Sequence, residues 1–135
     1  MTNTFTFRVP GEPIGQGSMR HIGNGRMIAA NDKKLRAWRA AVVEAIYMEY
    51  SHLEQIVKFD GPTKLRVQFC IEKPKTVKRE YPTTPYDLDK LVRAIGDACT
   101  DSGLVSDDAI FVELEASKIY KPGCPFGAHV SVSAL

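Results

Sequence analysis

Along this chain, hydrophobic and polar residues alternate in three segments and recur with a helical period between them. In Thr4 to Val9, Phe5, Phe7 and Val9 alternate with Thr6 and Arg8, which predicts a half-buried strand closed by Pro10. From Asp32 to about Tyr50, Leu35, Trp38, Val42, Ala45, Ile46 and Glu49 mark one face of a helix, with Asn31 as its cap. Asp60-Gly61-Pro62 interrupts the chain, and Leu65, Val67, Phe69 and Ile71 then alternate with Lys64, Arg66 and Gln68, the clearest strand, Thr63 to Ile71. A second helix is expected to begin at Leu88, where Leu88, Leu91, Ile95, Ala98 and Cys99 form an apolar stripe and Gly103 is a natural stop. Ile110 to Tyr120 and Ala128 to Ser133 read as two last strands around a turn at Lys121 to Gly127, expected to pair as a hairpin.

The order β-α-β-α-β-β implies an α+β (mixed α/β) fold: a single domain over residues 1–135, with a mixed sheet and two helices packed on one face by right-handed crossovers. The other sheet surface, or an exposed strand, is then left to meet a second subunit, so a homodimer is expected. A chain of 135 residues with 44% hydrophobic residues is enough for one ordinary core. Cys70, Cys99 and Cys124 are odd in number, far apart and without paired ligand spacing, which argues for reduced thiols rather than a disulfide framework or a zinc site. The start lacks a charged region followed by an apolar core, and no stretch approaches the ~18 apolar residues that span a bilayer, so a soluble cytoplasmic protein with no membrane partner is expected.

A net charge of +2 neither demands nor excludes a nucleic-acid partner, so the local distribution must decide. Residues 10–28 are glycine-rich and partly basic, with a turn signal at Asn24-Gly25. Arg20, His21 and Arg26 there either meet phosphates or belong to a solvated flap; no Gly-Lys-Ser/Thr follows, which disfavours nucleotide binding. Lys33, Lys34, Arg36 and Arg39 crowd the start of the first helix, opposite to the preference of the helix dipole, and invite an anionic partner. Lys73, Lys75, Lys78 and Arg79, in a proline-punctuated arm, immediately precede a pair of aspartates.

Those aspartates open the stretch YDLDKLVRAIGDACTDSGLVSDDAIF, residues 86–111. Asp87 and Asp89 lie one residue apart, and alternate residues on an α-helix point roughly 200° apart, so their step must be extended or capping if they are to act together. With Asp87 as cap and Asp89 in the first turn, both can face one point, while Asp89, Arg93 and Asp97 follow at spacing four on a polar face. The short loop after Gly103 could return Asp107 or Asp108 toward them, giving a three-carboxylate cluster. Aspartates at helix entrances and turns also serve as caps or solvated surface, and spacing alone leaves both readings open. Clustered carboxylates repel unless a cation neutralises them, and Mg²⁺ commonly takes one or two carboxylates with water and phosphate oxygens.

The run DLDKLVRAIGDACTDSGLVSDDAIF, with Lys118 after it, resembles the signature of the RusA family of Holliday junction resolvases. The resemblance implies a Mg²⁺-dependent endonuclease of mixed α/β fold, with Mn²⁺ as an alternative ion, working as a homodimer on branched DNA, the four-way junction. Such proteins serve recombination and repair in the bacterial cytoplasm, phage and prophage genomes included. It puts the metal-binding aspartates on Asp87, Asp89 and Asp108 and the catalytic basic residue, often lysine, on Arg93, with Lys118 among the DNA-contacting residues. Arginine holds phosphate through two hydrogen bonds but does not give up a proton, so a charge-stabilising role is expected rather than acid–base work. The DNA-binding set expected with it is Arg20, Arg26, Lys73, Lys75, Lys78, Arg79 and Lys118. The rival reading is a non-catalytic junction-binding protein of the same fold, disarmed by the arginine at position 93. A sugar transferase using Asp-x-Asp is disfavoured by the lack of a nucleotide-binding βαβ unit.

Overall fold

The alternating and helical segments form the elements they predict in a computed structural model, which describes residues 3–16, 19–21, 27–29, 32–120 and 126–135. The order is β1 (Thr4–Pro10), β2 (Met19–His21), β3 (Met27–Ala29), α1 (Asp32–Leu53), β4 (Thr63–Ile71), α2 (Leu88–Ser102), β5 (Phe111–Tyr120) and β6 (Gly127–Ala134), with one 3₁₀ turn at Asp108–Ile110 before β5. Apart from the small antiparallel pair β2–β3, this is the expected β-α-β-α-β-β succession and an α+β fold. The Asn24-Gly25 turn, Arg26, the Asn31 cap and residues 121–125, Cys124 included, lie outside the described residues.

The four-stranded sheet runs β1-β6-β4-β5, with β6 antiparallel to both β1 and β4, and β4 parallel to β5. The expected hairpin between the last two strands is therefore not formed. The reason lies in their side chains: Ala128, Val130 and Val132 are fully buried and meet Val9, Phe7 and Phe5 on one side and Phe69, Val67 and Leu65 on the other, so β6 belongs in the middle of the sheet. Each large side chain buried there contributes about 1.5–3 kcal/mol through removal of apolar surface from water. By contrast, β5 carries Glu113 and Glu115 and leaves Val112 and Leu114 exposed, the composition of an edge strand. Its parallel pairing with β4 requires a long crossover, and α2 supplies it.

On one face, α1 presents the buried stripe Leu35, Trp38, Val42, Ile46 and Tyr50 and packs on β1 and α2, while α2 packs against β5. The buried side chains form one cluster joining both helices to the sheet. Arg39 of α1 reaches Asp101 near the end of α2 at 2.5 Å, so one of the basic residues at the start of α1 finds its anion inside the protein. The opposite sheet face is polar: Thr4 and Thr6 pair with Ser133 and Ser131, each at 3.1 Å, and Arg66 meets Glu115 at 2.6 Å. Cys70 and Cys99 are buried, reduced thiols, and burial pushes the pKa of Cys99 up to about 12. Among the described residues no helix is long and apolar enough to cross a membrane.

Candidate active site

Asp87 has an extended backbone and stands as N-cap of α2, and its carbonyl receives the amides of Lys90 and Leu91, each at 3.1 Å. Its side chain makes no capping hydrogen bond, so the carboxylate is not committed to the helix; it faces the Lys90 ammonium at 3.8 Å. Asp89 is exposed in the first turn, where the helix dipole favours a negative charge. Leu91, Ala94, Ile95, Ala98 and Cys99 are buried, which leaves Asp89, Arg93 and Asp97 on the solvent side of the helix. Arg93 is exposed and forms no ion pair with a described carboxylate, its expected neighbour Asp89 included.

The return of the chain after α2 is built from particular contacts. Gly103 adopts the left-handed conformation, φ 81°, and sends its amide to Thr100 O at 3.1 Å, which ends the helix. Leu104 and Val105 then enter the core, with Phe59 and Leu104 joined at 2.8 Å and Ser106 and Phe59 at 3.0 Å through their backbones. Thr63, fully buried at the start of β4, donates its hydroxyl to Ile110 O at 3.1 Å and fixes the far side of the turn.

Asp108 is thereby laid against Gly96: a Cβ on that glycine would stand 3.5 Å from Asp108 Cβ and 3.8 Å from Oδ2. Its carboxyl is held above the usual range by burial, then by a hydrogen bond with Asp107 and by the negative charges of Asp107 and Asp97.

Asp108 thus meets the middle of α2 rather than its entrance. Gly96 lies seven residues beyond Asp89, about 10 Å along the helix axis at the usual rise. Among the described residues no three acidic, histidine or cysteine side chains are grouped closely enough to hold a metal ion, so the expected convergence on one point is not formed. Asp87 and Asp89 stand at the entrance of α2, whereas the returning loop, anchored by Leu104 and Val105, sets Asp108 beside Gly96.

The donor set nevertheless suits a hard divalent cation. Asp87 and Asp89 could supply the one or two carboxylates that a cation of the Mg²⁺ kind takes, and Asp108 is a carboxylate whose repulsion from its neighbours a cation would relieve.

Basic residues line the arm that leads in sequence to the entrance of α2. Lys75 and Lys78 are exposed; Arg79 Nε donates to the Tyr120 hydroxyl at 3.1 Å, and the Lys73 ammonium lies 6.0 Å from the centre of the same ring. Tyr120, at the end of β5, thus gathers Lys73 and Arg79 of the basic arm, a role that its place at a strand end did not signal. Lys118 Nζ is bonded to two carbonyl oxygens of the segment preceding Asp87 rather than projecting freely. Arg20 lies in β2 with its side chain outside the described residues, as is the whole of Arg26.

One feature carries no mark in the sequence. A Cβ on Gly15 would stand 2.9 Å from Tyr86 Cβ and 3.2 Å from Lys90 Cβ, and Gln16 N donates to Lys90 O at 3.0 Å. The glycine-rich stretch therefore begins in direct contact with the acidic entrance, and only a glycine allows so close an approach. A lone glycine among many has no signal that would single it out.

No curated protein matches the chain significantly. The family comparison does: the profile described as endodeoxyribonuclease RusA matches residues 10–132, from the end of β1 into β6, a span that takes in both helices, the aspartates and the basic arm. With nearly the whole chain matched, this protein belongs to the RusA family of endodeoxyribonucleases.

Proposed function

We propose that this endonuclease resolves four-way DNA junctions in bacterial recombination and repair, in the cytoplasm, with Mg²⁺ as its ion and Mn²⁺ as a substitute. The observation that carries the reading is the uncapped Asp87 carboxylate at the entrance of α2, with Asp89 in the first turn and Lys73 and Arg79 of the preceding arm gathered on Tyr120. Asp87 and Asp89 would hold the ion, with Asp108 drawn toward it. Bound there, the ion supplies a Lewis acid and lowers the pKa of water for attack on phosphorus.

The chain's own residues do the rest. Arg93, one turn beyond Asp89 and exposed, places its guanidinium against the scissile phosphate and stabilises the charge that develops on it. It carries no proton in or out, because arginine stays charged. Lys73, Lys75, Lys78 and Arg79 hold the DNA backbone, joined by Arg20 and Arg26 of the glycine-rich stretch, and draw the substrate in by counterion release. Two copies of the chain would match the approximate two-fold symmetry of a junction, and β5, an edge strand with Val112 and Leu114 exposed, is the surface we assign to the contact. The separation of Asp108 from the entrance, together with arginine at position 93, favours as second reading a junction binder without turnover.

Cleavage of a labelled four-way junction and of a linear duplex of the same sequence, with Mg²⁺ and with chelator, tests the proposal. Paired nicks in the junction that require the ion are expected. Tight junction binding without nicks would select the second reading, and equal cutting of both substrates would remove junction selectivity.

A further inference from the structure

Lys118 pairs in register with Phe69 of β4, whose side chain is buried beneath the helices, and cross-strand partners share a face, so the lysine projects toward α2. Its Nζ donates to Thr84 O and to Tyr86 O, both at 2.8 Å. The second of these carbonyls belongs to the peptide that carries the Asp87 nitrogen. In the same segment, Tyr86 packs against Gly15, where a Cβ would come within 2.9 Å.

The residues just before Asp87 are thus contacted by two elements: the segment after β1 through Gly15, and β5 through Lys118. The arm that precedes them contains Pro82 and Pro85, which remove backbone donors, so regular hydrogen bonding does not fix its course.

We infer that Lys118 is a positioning residue, whose ammonium fixes the peptide from which Asp87 projects and so presets the carboxylate pair for a divalent cation. This replaces the phosphate-binding role expected of it from sequence, since two of its three donors are already committed to the backbone. The inference rests on the proposed metal role of Asp87 and Asp89. Outer partners that orient metal ligands, when removed, weaken metal binding by about 10–100-fold.

The test compares wild type, Lys118→Met, Lys118→Arg and Asp89→Asn with three readouts: Mn²⁺ binding by water-proton relaxation, amide hydrogen exchange over residues 86–91, and the salt dependence of junction affinity. Lys118→Met is expected to bind Mn²⁺ about tenfold more weakly, to exchange faster in that segment alone, and to keep the wild-type salt slope. Lys118→Arg, which keeps a charged donor, is expected to restore part of the Mn²⁺ affinity, and it carries the comparison if the methionine variant does not fold.

Unchanged exchange and Mn²⁺ affinity in both variants would overturn the inference. So would intact Mn²⁺ affinity with a salt slope lowered by about 0.9, the signature of one phosphate no longer neutralised. Wild-type Mn²⁺ binding by Asp89→Asn would instead remove the metal site, and the exchange data would still decide whether Lys118 holds the segment.

Discussion

Replacing Gly15 by alanine tests how the glycine-rich segment is joined to the acidic entrance. The added Cβ would meet Tyr86 Cβ at 2.9 Å, Tyr86 Cγ at 3.1 Å and Lys90 Cβ at 3.2 Å. Carbon atoms prefer about 3.5 Å or more, so the segment and α2 must part by roughly 0.5 Å. Gly15 is not in the left-handed region, so the penalty is one of steric overlap alone.

Overpacking of this kind costs about 1–3 kcal/mol, and weakening the Gln16 N to Lys90 O bond adds up to about 1 kcal/mol. Against this, alanine restricts the unfolded chain and returns about 0.4–1 kcal/mol. The steric effect wins, and a net loss of about 1–3 kcal/mol leaves a domain of ordinary stability folded. Because Lys90 lies beside Asp89, the same displacement shifts the carboxylates, and a loss of cleavage on the order of tenfold follows from misplacement by a fraction of an ångström. Urea unfolding and single-turnover junction cleavage measure the two effects. A variant with the wild-type urea midpoint and the wild-type rate would show that Gly15 does not shape the site.

Asp89→Asn is expected to abolish cleavage in a nicking assay while junction binding persists or tightens, because one ligand is lost and repulsion of phosphate falls. Arg93→Ala should lower turnover by about 10²–10³-fold with little change in junction affinity, and Arg93→Lys should keep much of the activity, as read from rate and binding measured separately. Neutralising Lys75, Lys78 and Arg79 together should weaken binding to all DNA and flatten its salt dependence by about 0.9 for each phosphate that the variant leaves unneutralised. Because the folded chain holds the Asp108 carboxyl above its ordinary range, ionising it opposes folding: Asp108→Asn should melt higher than wild type near neutral pH. That advantage should shrink as pH falls through the raised value and the wild-type carboxyl takes up its proton, which thermal melts at several pH values will follow.

Much of this arrangement was legible in the chain because local chemistry decides it. The alternation of Leu65, Val67 and Phe69 sets the limits of β4, and Asp87 and Gly103 bracket α2 as cap and stop. What was not legible depends on residues distant in sequence. Whether β6 pairs with β5 or inserts between β1 and β4 is settled by Val130 meeting both Phe7 and Val67, and no turn signal records it. The distance of Asp108 from Asp89 is set by where Leu104 and Val105 lodge beside Phe59, which the spacing of acidic residues does not encode. Lys118 reads as a surface lysine in sequence because its partners, the Thr84 and Tyr86 carbonyls, are backbone atoms that any residue possesses.

The position of a bound ion tests the central claim most directly. In crystals grown with Mn²⁺, anomalous scattering is expected to place the ion at the entrance of α2, ligated by Asp87 and Asp89, with the loop carrying Asp108 moved toward it. An ion held instead by Asp97, Asp107 and Asp108 beside Gly96, with Asp87 and Asp89 unligated, would contradict the account.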